Sequence, residues 1–267
     1  MNKLQRIKQW VKTQNHPIAR VIKYSHKTFL EFEIPVFVPL YLPLRLFHGS
    51  VIQILNTLTR VFYWTPMFKT QLRHGPSGRA EKLNLFGGMP QVLGCLDIEI
   101  GRNCRISGQT TFSGRWCSKN TPALQVGNNV GISWQTTIAV GTNVILKDNV
   151  RMGGRVFLAG YPGHPEDPVA RAQGLPDNDD QVGDIILEKD VWLGSGVTVM
   201  SGVTIGEGSI VAAGSIVTRD LPNYVVAAGV PAKIVRNIKY EGLPQARFIY
   251  EQQEKEQTPN QETAHEY

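Results

Sequence analysis

From Leu187 to Val217 an aliphatic residue returns every six positions: Leu187, Leu193, Val199, Ile205, Val211 and Val217. Neither the 3.6-residue period of a helix nor the two-residue alternation of a half-buried strand produces that spacing. Val or a small residue follows four places after most of them, at Val191, Val197, Val203, Ser209 and Ser215. Six residues per side and three sides per turn predict an 18-residue coil of a parallel β-solenoid. Leu187 then stacks on Ile205, Leu193 on Val211 and Val199 on Val217. Each aliphatic points into a narrow prism, and the small residue sits near a corner, where a larger side chain would clash.

The repeat begins earlier in poorer form, at Ile100 and Ile106, then Val126, Ile132 and Ile138. It slips by two residues and resumes at Val140, Leu146, Met152 and Leu158. The slip reads as a shortened corner. Between Ala159 and Asp184 the period vanishes among Gly160, Pro162, Gly163, Pro165, Pro168, Gly174, Pro176 and Gly183, a density that forbids regular strands. A stretch of this length, ejected from a rigid scaffold at 159–184, is a natural place for chemistry.

The chain has 267 residues and a hydrophobic fraction of 42%, enough for a real core. Its three cysteines, Cys95, Cys104 and Cys117, lack CxxC spacing and leave an odd one out, which favours a reducing, cytoplasmic setting. Cys104 falls where the solenoid wants a small buried residue. The net charge of +6 is uneven: residues 1–82 hold 13 Lys and Arg against three Glu, whereas the rest holds 15 basic and 19 acidic side chains. No aromatic-interleaved or helix-turn-helix pattern accompanies that basicity, so nucleic acid is not the expected partner.

Residues 1–30 carry seven Lys or Arg and no acid, and 34–44 is an uncharged run of eleven residues with three prolines. That run is too short to cross a bilayer, its prolines argue against a straight helix, and no cleavable signal is recognisable. Val51, Ile52, Ile54, Leu55, Leu58, Val61, Phe62 and Trp64 form a broad apolar face at helical spacing. Two compatible readings stay open for 1–83: peripheral docking on an anionic inner leaflet, or a helical cap over the first coil, whose strand edges would otherwise be bare.

Val191-Trp192-Leu193-Gly194-Ser195, Gly202-Val203-Thr204-Ile205-Gly206, Ala213-Gly214-Ser215-Ile216-Val217-Thr218-Arg219-Asp220 and Ala227-Ala228-Gly229-Val230-Pro231-Ala232-Lys233 together resemble the C-terminal coils of hexapeptide-repeat acyltransferases. The pattern is nearest to the maltose/galactoside type, and Gly87-Gly88-Met89-Pro90 before Ile98-Glu99-Ile100-Gly101 looks like the branch that serves surface-polysaccharide synthesis. The resemblance covers 84–238. It implies a mainly-β fold, a left-handed parallel β-helix; outside it, the basic and apolar residues of 1–83 predict a helical, partly membrane-interacting extension, and the Gln- and Glu-rich residues of 239–267 a polar tail. The resemblance also implies a homotrimer and acetyl-CoA as co-substrate, with no metal.

Of the six histidines only His164 lies in the solenoid region. Gly163-His164-Pro165, followed by Asp167-Pro168 and Arg171, resembles the context of the family's catalytic histidine. A sugar hydroxyl is almost un-ionised at neutral pH, so its attack on a thioester needs a base; imidazole, with a pKa of about 6.5, suits the task. Glu166, Asp167 or a loop carbonyl are open as the group that orients the ring. By resemblance, Gly194 and Ser195 flank the pantetheine arm, Ala212 and Ala213 form its small wall, and Thr218, Arg219, Lys233 and Arg236 lie near the phosphates. Trp134 is a candidate acceptor-binding residue at a subunit boundary, with plain packing as the alternative; Trp192 reads as an outer-wall residue.

The expected activity is acetyl-CoA-dependent O-acetylation of a sugar of a surface polysaccharide or its lipid-linked precursor, in the cytoplasm or on the inner membrane face. The alternatives are acyl transfer to another hydroxyl or to an amino sugar, and a non-catalytic membrane-bound scaffold. A zinc carbonic anhydrase needs three histidine ligands, and a nucleotidyltransferase needs a phosphate-binding Gly-rich loop after a strand; the sequence offers neither.

Overall fold

The computed structural model describes residues 2–34, 36–72 and 80–238. The tail expected at 239–267 lies outside the described residues. The chain divides into two compact units, 1–54 and 55–267. The first holds α1 (Lys3–Thr13), α2 (Pro17–Leu30) and most of α3 (Val38–Thr59). Asn2 starts α1 with a reciprocal capping box to Gln5, and Pro17 occupies the first turn of α2, where its missing N–H costs nothing. The prolines of the 34–44 run do not prevent a helix. Pro39 falls in the first turn of α3, and Pro43 is accommodated inside it.

In the second unit the helix continues through Arg60–Trp64 and α4 (Thr65–Lys69). Phe68 and Leu72 are buried in the solenoid's core, and the Phe68 ring lies 6.2 Å from that of Phe112. Arg60 donates to Asn84 Oδ1 at 2.6 Å. These residues close the end of the prism, as an open solenoid requires.

Between Asn84 and Asn237 nineteen short strands coil into three parallel faces. The first face has eight strands, the second six and the third five, and the chain visits them in rotation. The predicted stacking holds: Leu187 pairs with Ile205, Leu193 with Val211 and Val199 with Val217. All six are buried, as are Val191, Val197, Val203, Ser209 and Ser215 at the corners. A fully buried aliphatic of this size contributes about 1.5–3 kcal/mol, so the ladder is the main source of stability. The two buried serines are satisfied. Ser209 Oγ donates to Pro222 O and accepts from Val225 N, and Ser215 Oγ accepts from Gly229 N. They tie the last coil to the closing antiparallel pair Val225–Gly229 and Ala232–Asn237.

The coils from Asp97 to Leu187 are longer, and their surplus goes to one place; the first coil alone adds a residue at Gly87–Pro90, where Asn84 to Gln91 takes seven residues against six from Arg105 to Thr111. Trp192 pairs with Ile210, 18 residues on, but Thr137 pairs with Phe157 after 20, Thr111 with Thr137 after 26 and Phe157 with Thr198 after 41. In each case the excess lies between a strand of the second face and the next strand of the third: after Gly114, after Val140 and after Ala159. The two-residue slip is therefore a lengthened corner at Gly141-Thr142, not a shortened one, because Leu124 and Val126 stack on Val144 and Leu146 only if that turn is wider. The corner from third face to first is instead uniform, a column of left-handed residues: Asn103, Asn129, Asn149 and Asp190 all have φ between 55° and 62°. Cys104, just after the first of these, is buried as expected and its thiol faces Gly127 O at 3.1 Å.

Candidate functional site

The 160–184 loop leaves the second-to-third corner after the strand Phe157–Ala159, and His164 is exposed within it. Both neighbours of the ring are fixed. Gly163 has φ +83°, a left-handed conformation that favours glycine, and its N–H donates to Asp177 Oδ2 at 3.0 Å. Pro165 is buried, and its carbonyl, like that of Glu166, accepts from Arg171 Nη1 at 3.0 Å. Asp167 caps the short helix Pro168–Ala172 by accepting from Val169 N and Ala170 N. Its carboxylate is thus committed to the backbone. Among the described residues no side chain is hydrogen-bonded to the imidazole, so neither Glu166 nor Asp167 orients it here.

Asp177 belongs to a buried cluster that sequence reading did not single out. Its carboxylate accepts from Arg115 Nε at 2.9 Å, its carbonyl from Arg115 Nη2 at 2.8 Å, and Arg115 Nη1 reaches Asp179 at 2.6 Å. The Arg115 and Asp177 side chains are 4% and 3% exposed. The Cys117 thiol donates to the same Asp177 oxygen at 3.3 Å. Burial pushes the Asp177 carboxyl up, but the hydrogen bonds from Arg115, Cys117 and Gly163 outweigh it and leave it below the ordinary carboxylate range. Burial pushes the Cys117 thiol up, with the Asp177 hydrogen bond adding to it, so the thiol remains a donor. Burial opposes the charge on Arg115, yet the two aspartates more than restore it. Two surplus segments, 115–122 and 160–183, are thereby locked to each other. Tyr161 Oη adds a 2.7 Å bond to Ser113 Oγ, and Gly183 N closes the loop's base on Gly160 O at 3.3 Å. The one signal for Arg115 in the sequence was the 14-residue step from Phe112 to Val126, which marks an insertion but not its partner.

The other candidates fall in separate places. At the first-to-second corner Ser195 lies between Gly154 and Gly214, with Gly196 N donating to Gly154 O and Gly214 N to Ser195 O, each at 2.9 Å. A Cβ on Gly194 would come within 2.5 Å of Ala213 N, so coils approach here too closely for side chains. Gly194, Ser195, Ala212 and Ala213 form one smooth column. Trp134 begins it, half-exposed, with its ring beside Gly154 and the Arg155 guanidinium 5.5 Å from its centroid. Lys233, paired with Ala228 in the closing hairpin, is near the column's far end, since Gly229 binds Ser215 there. Arg236 pairs with Val226, farther back on the first face. Thr218 and Arg219 are exposed at the second-to-third corner, the corner that bears His164, after Asp220 has bound Thr204 N at 2.7 Å. Among the described residues Arg219 and Lys233 have no ion pair, which leaves them able to meet phosphate. Trp192 is exposed on the first face, in a groove of about 500 Å³ with Phe86, Arg105 and Arg151. That groove and a second, of about 430 Å³ on the third face, contain neither His164 nor the small-residue column.

Fold and repeat define a β-helix of the left-handed, hexapeptide-repeat type. Residues 184–219 match the family described as bacterial transferase hexapeptide (six repeats). It is 35% identical over 140 residues to a galactoside O-acetyltransferase of Lactococcus lactis, covering 52% of this chain and 63% of that one. It is 40% identical over 131 residues to a polysialic acid O-acetyltransferase of Escherichia coli O1:K1, covering 46% and 41%. The chain thus spans less than two thirds of these relatives. A solved structure of AntD, an N-acyltransferase from Bacillus cereus in complex with dTDP and 3-hydroxybutyryl-CoA, superposes with a TM-score of 0.48 at 17% identity over 66% of this chain and 89% of that one.

Proposed function

We propose that this protein is an acetyl-CoA-dependent O-acetyltransferase that modifies a sugar hydroxyl of a surface polysaccharide or its lipid-linked precursor. The observation that carries the proposal is His164: an exposed imidazole between Gly163, which is held by the buried Asp177–Arg115 cluster, and Pro165, whose carbonyl accepts from Arg171 within the loop. The names of the relatives, galactoside and polysialic acid O-acetyltransferase, support the sugar acceptor.

In this reading the acceptor hydroxyl attacks the thioester carbonyl carbon while His164 takes its proton. The carbonyl oxygen carries the charge of the tetrahedral intermediate. Collapse then breaks the C–S bond, and the sulfur of CoA leaves with the proton returned by the imidazolium. The smooth column of Gly194, Ser195, Ala212 and Ala213 admits an extended pantetheine arm, and Lys233 at its end offers charge to a phosphate. Thr218, Arg219 and Arg236 complete the donor site, and Trp134 offers a stacking face to a sugar ring. His164 and the column occupy two different corners of the prism, so a complete site draws one corner from each of two protomers, in keeping with the expected homotrimer.

Release of free thiol from acetyl-CoA in the presence of sugar acceptors, with the product's mass gain of one acetyl, tests the reading. O-acetyl product is expected, and it is lost in His164→Ala. Amide product from an amino sugar would move the assignment to N-acetylation. Full activity of His164→Ala, or no thiol release with any sugar, would remove it.

A further inference from the structure

Residues 2–54 turn their apolar side chains outward. Among the described residues of this unit Ala19 is the one buried hydrophobic, while Leu4, Ile7, Trp10, Ile18, Val21, Phe29, Phe32, Ile34, Val36, Phe37, Leu40 and Phe47 are all exposed. Helices α1 and α2 place their apolar residues on one side and basic residues on the other. Lys3, Arg6 and Lys8 have no carboxylate within ion-pair distance among the described residues, and the Lys27–Glu31 pair at 3.6 Å is itself exposed. Charge and shape together fit one occupant, an anionic lipid surface. Trp10, Tyr24 and Tyr41 suit the same boundary, where an apolar ring meets a wet edge.

The helix from Val38 to Lys69 has the length and composition of a membrane span, with a mean hydropathy of 1.2 over its most apolar window. The placement of its charges argues against crossing. Glu33 and Arg45 bracket eleven uncharged residues, and Arg45 and Arg60 bracket fourteen. Each stretch falls short of the roughly 20 residues a span requires. A crossing would force Arg45 into hydrocarbon, which is costly, or draw in Arg60, which is bonded to Asn84. Below it Phe68 is fully buried in protein.

We infer that residues 2–54 are a monotopic membrane anchor. Helices α1 and α2 lie among the headgroups of an anionic bilayer, and 36–44 forms a wedge that dips into the hydrocarbon and returns at Arg45 to the face it entered. Phe37 and Leu40 are the deepest anchors, and Asn2 and His48 remain on one side. This extends the functional reading without depending on it: an anchor of this kind brings the protein to lipid-linked sugars, but it can be tested with no substrate.

The test is flotation of the full chain with vesicles rich in phosphatidylglycerol, compared with phosphatidylcholine. Binding to the anionic vesicles is expected to be at least about tenfold tighter and to weaken with salt. Phe37→Asp with Leu40→Asp, and separately Lys8→Glu with Lys12→Glu, should each reduce it about tenfold or more while the solenoid's melting is unchanged. On vesicle-bound protein, trypsin added outside should still cut at the basic residues of α1. Equal binding to both lipids, or none, would overturn the lipid assignment. Absence of lipid binding, with self-association that the Phe37→Asp/Leu40→Asp variant abolishes, would assign the face to a second copy instead. Protection of the α1 sites from trypsin would overturn the same-side topology in favour of a span.

Discussion

The last coils, 185–217, and the earlier ones, 97–187, build the same prism by different economies of chain. The former use 18 residues per turn and leave nothing over. The latter use 20 to 41, and every extra residue leaves at the second-to-third corner. A solenoid's stability resides in its stacked inner ladder, so one corner can be lengthened without disturbing the register of the three faces. That freedom places a histidine on a long loop while keeping it rigid, because the surplus of one coil, at Arg115, is spliced by a buried ion pair to the surplus of another, at Asp177.

Substitutions separate the two regions. The largest effect is expected from His164→Ala, which should lower kcat/KM by about 10²–10⁴ with the fold intact; steady-state kinetics beside a thermal melt would show it, and an unaltered rate would break the link between loop and chemistry. Asp177→Ala leaves the Arg115 charge buried beside Asp179 alone, a change that costs about 3 kcal/mol. It should raise amide exchange across 160–183 and reduce turnover, while protection of 185–217 is unchanged. Leu193→Ala is the converse: a loss of about 2–5 kcal/mol in global stability, with the His164 loop as well protected as before until the whole domain unfolds. Arg219→Glu should raise the Michaelis constant for acetyl-CoA by about tenfold with little change in kcat, as loss of one phosphate contact would; an unchanged constant would remove it from the donor site.

The smallest effect comes from acid. The Asp177 carboxyl is held below its unfolded value, so its contribution to the loop is complete above about pH 4 and fades as the pH falls through the lower folded value. Amide protection of 160–183 should therefore be flat from neutral pH down to about 5 and decline only below about 4. A transition near neutrality would mean that another group holds the loop.

The six-residue period was legible because inward-pointing aliphatics repeat locally; from Leu187 to Val217 stacking partners, buried corners and face membership all follow from spacing. His164 stood out only through the resemblance of Gly163-His164-Pro165, with Asp167-Pro168 and Arg171, to a family motif, and its role is part of the proposal. The widened corner at Gly141-Thr142 was misjudged, because a two-residue slip fits a short or a long turn equally well until Val144 and Leu146 are seen stacked on Leu124 and Val126. The helix across 38–59 also ran against its prolines, one of which falls in a first turn that needs no N–H.

Sequence alone determined the prism, its ladder and the loop that bears the imidazole, since each rests on residues near one another in the chain. Only the tertiary structure decided that the surplus of the coils from Asp97 to Leu187 shares a corner, and that Arg115 and Asp177, 62 residues apart, meet there. The physical reason is that a buried ion pair is defined by two charges converging in space, and nothing in the local pattern around either residue records the other.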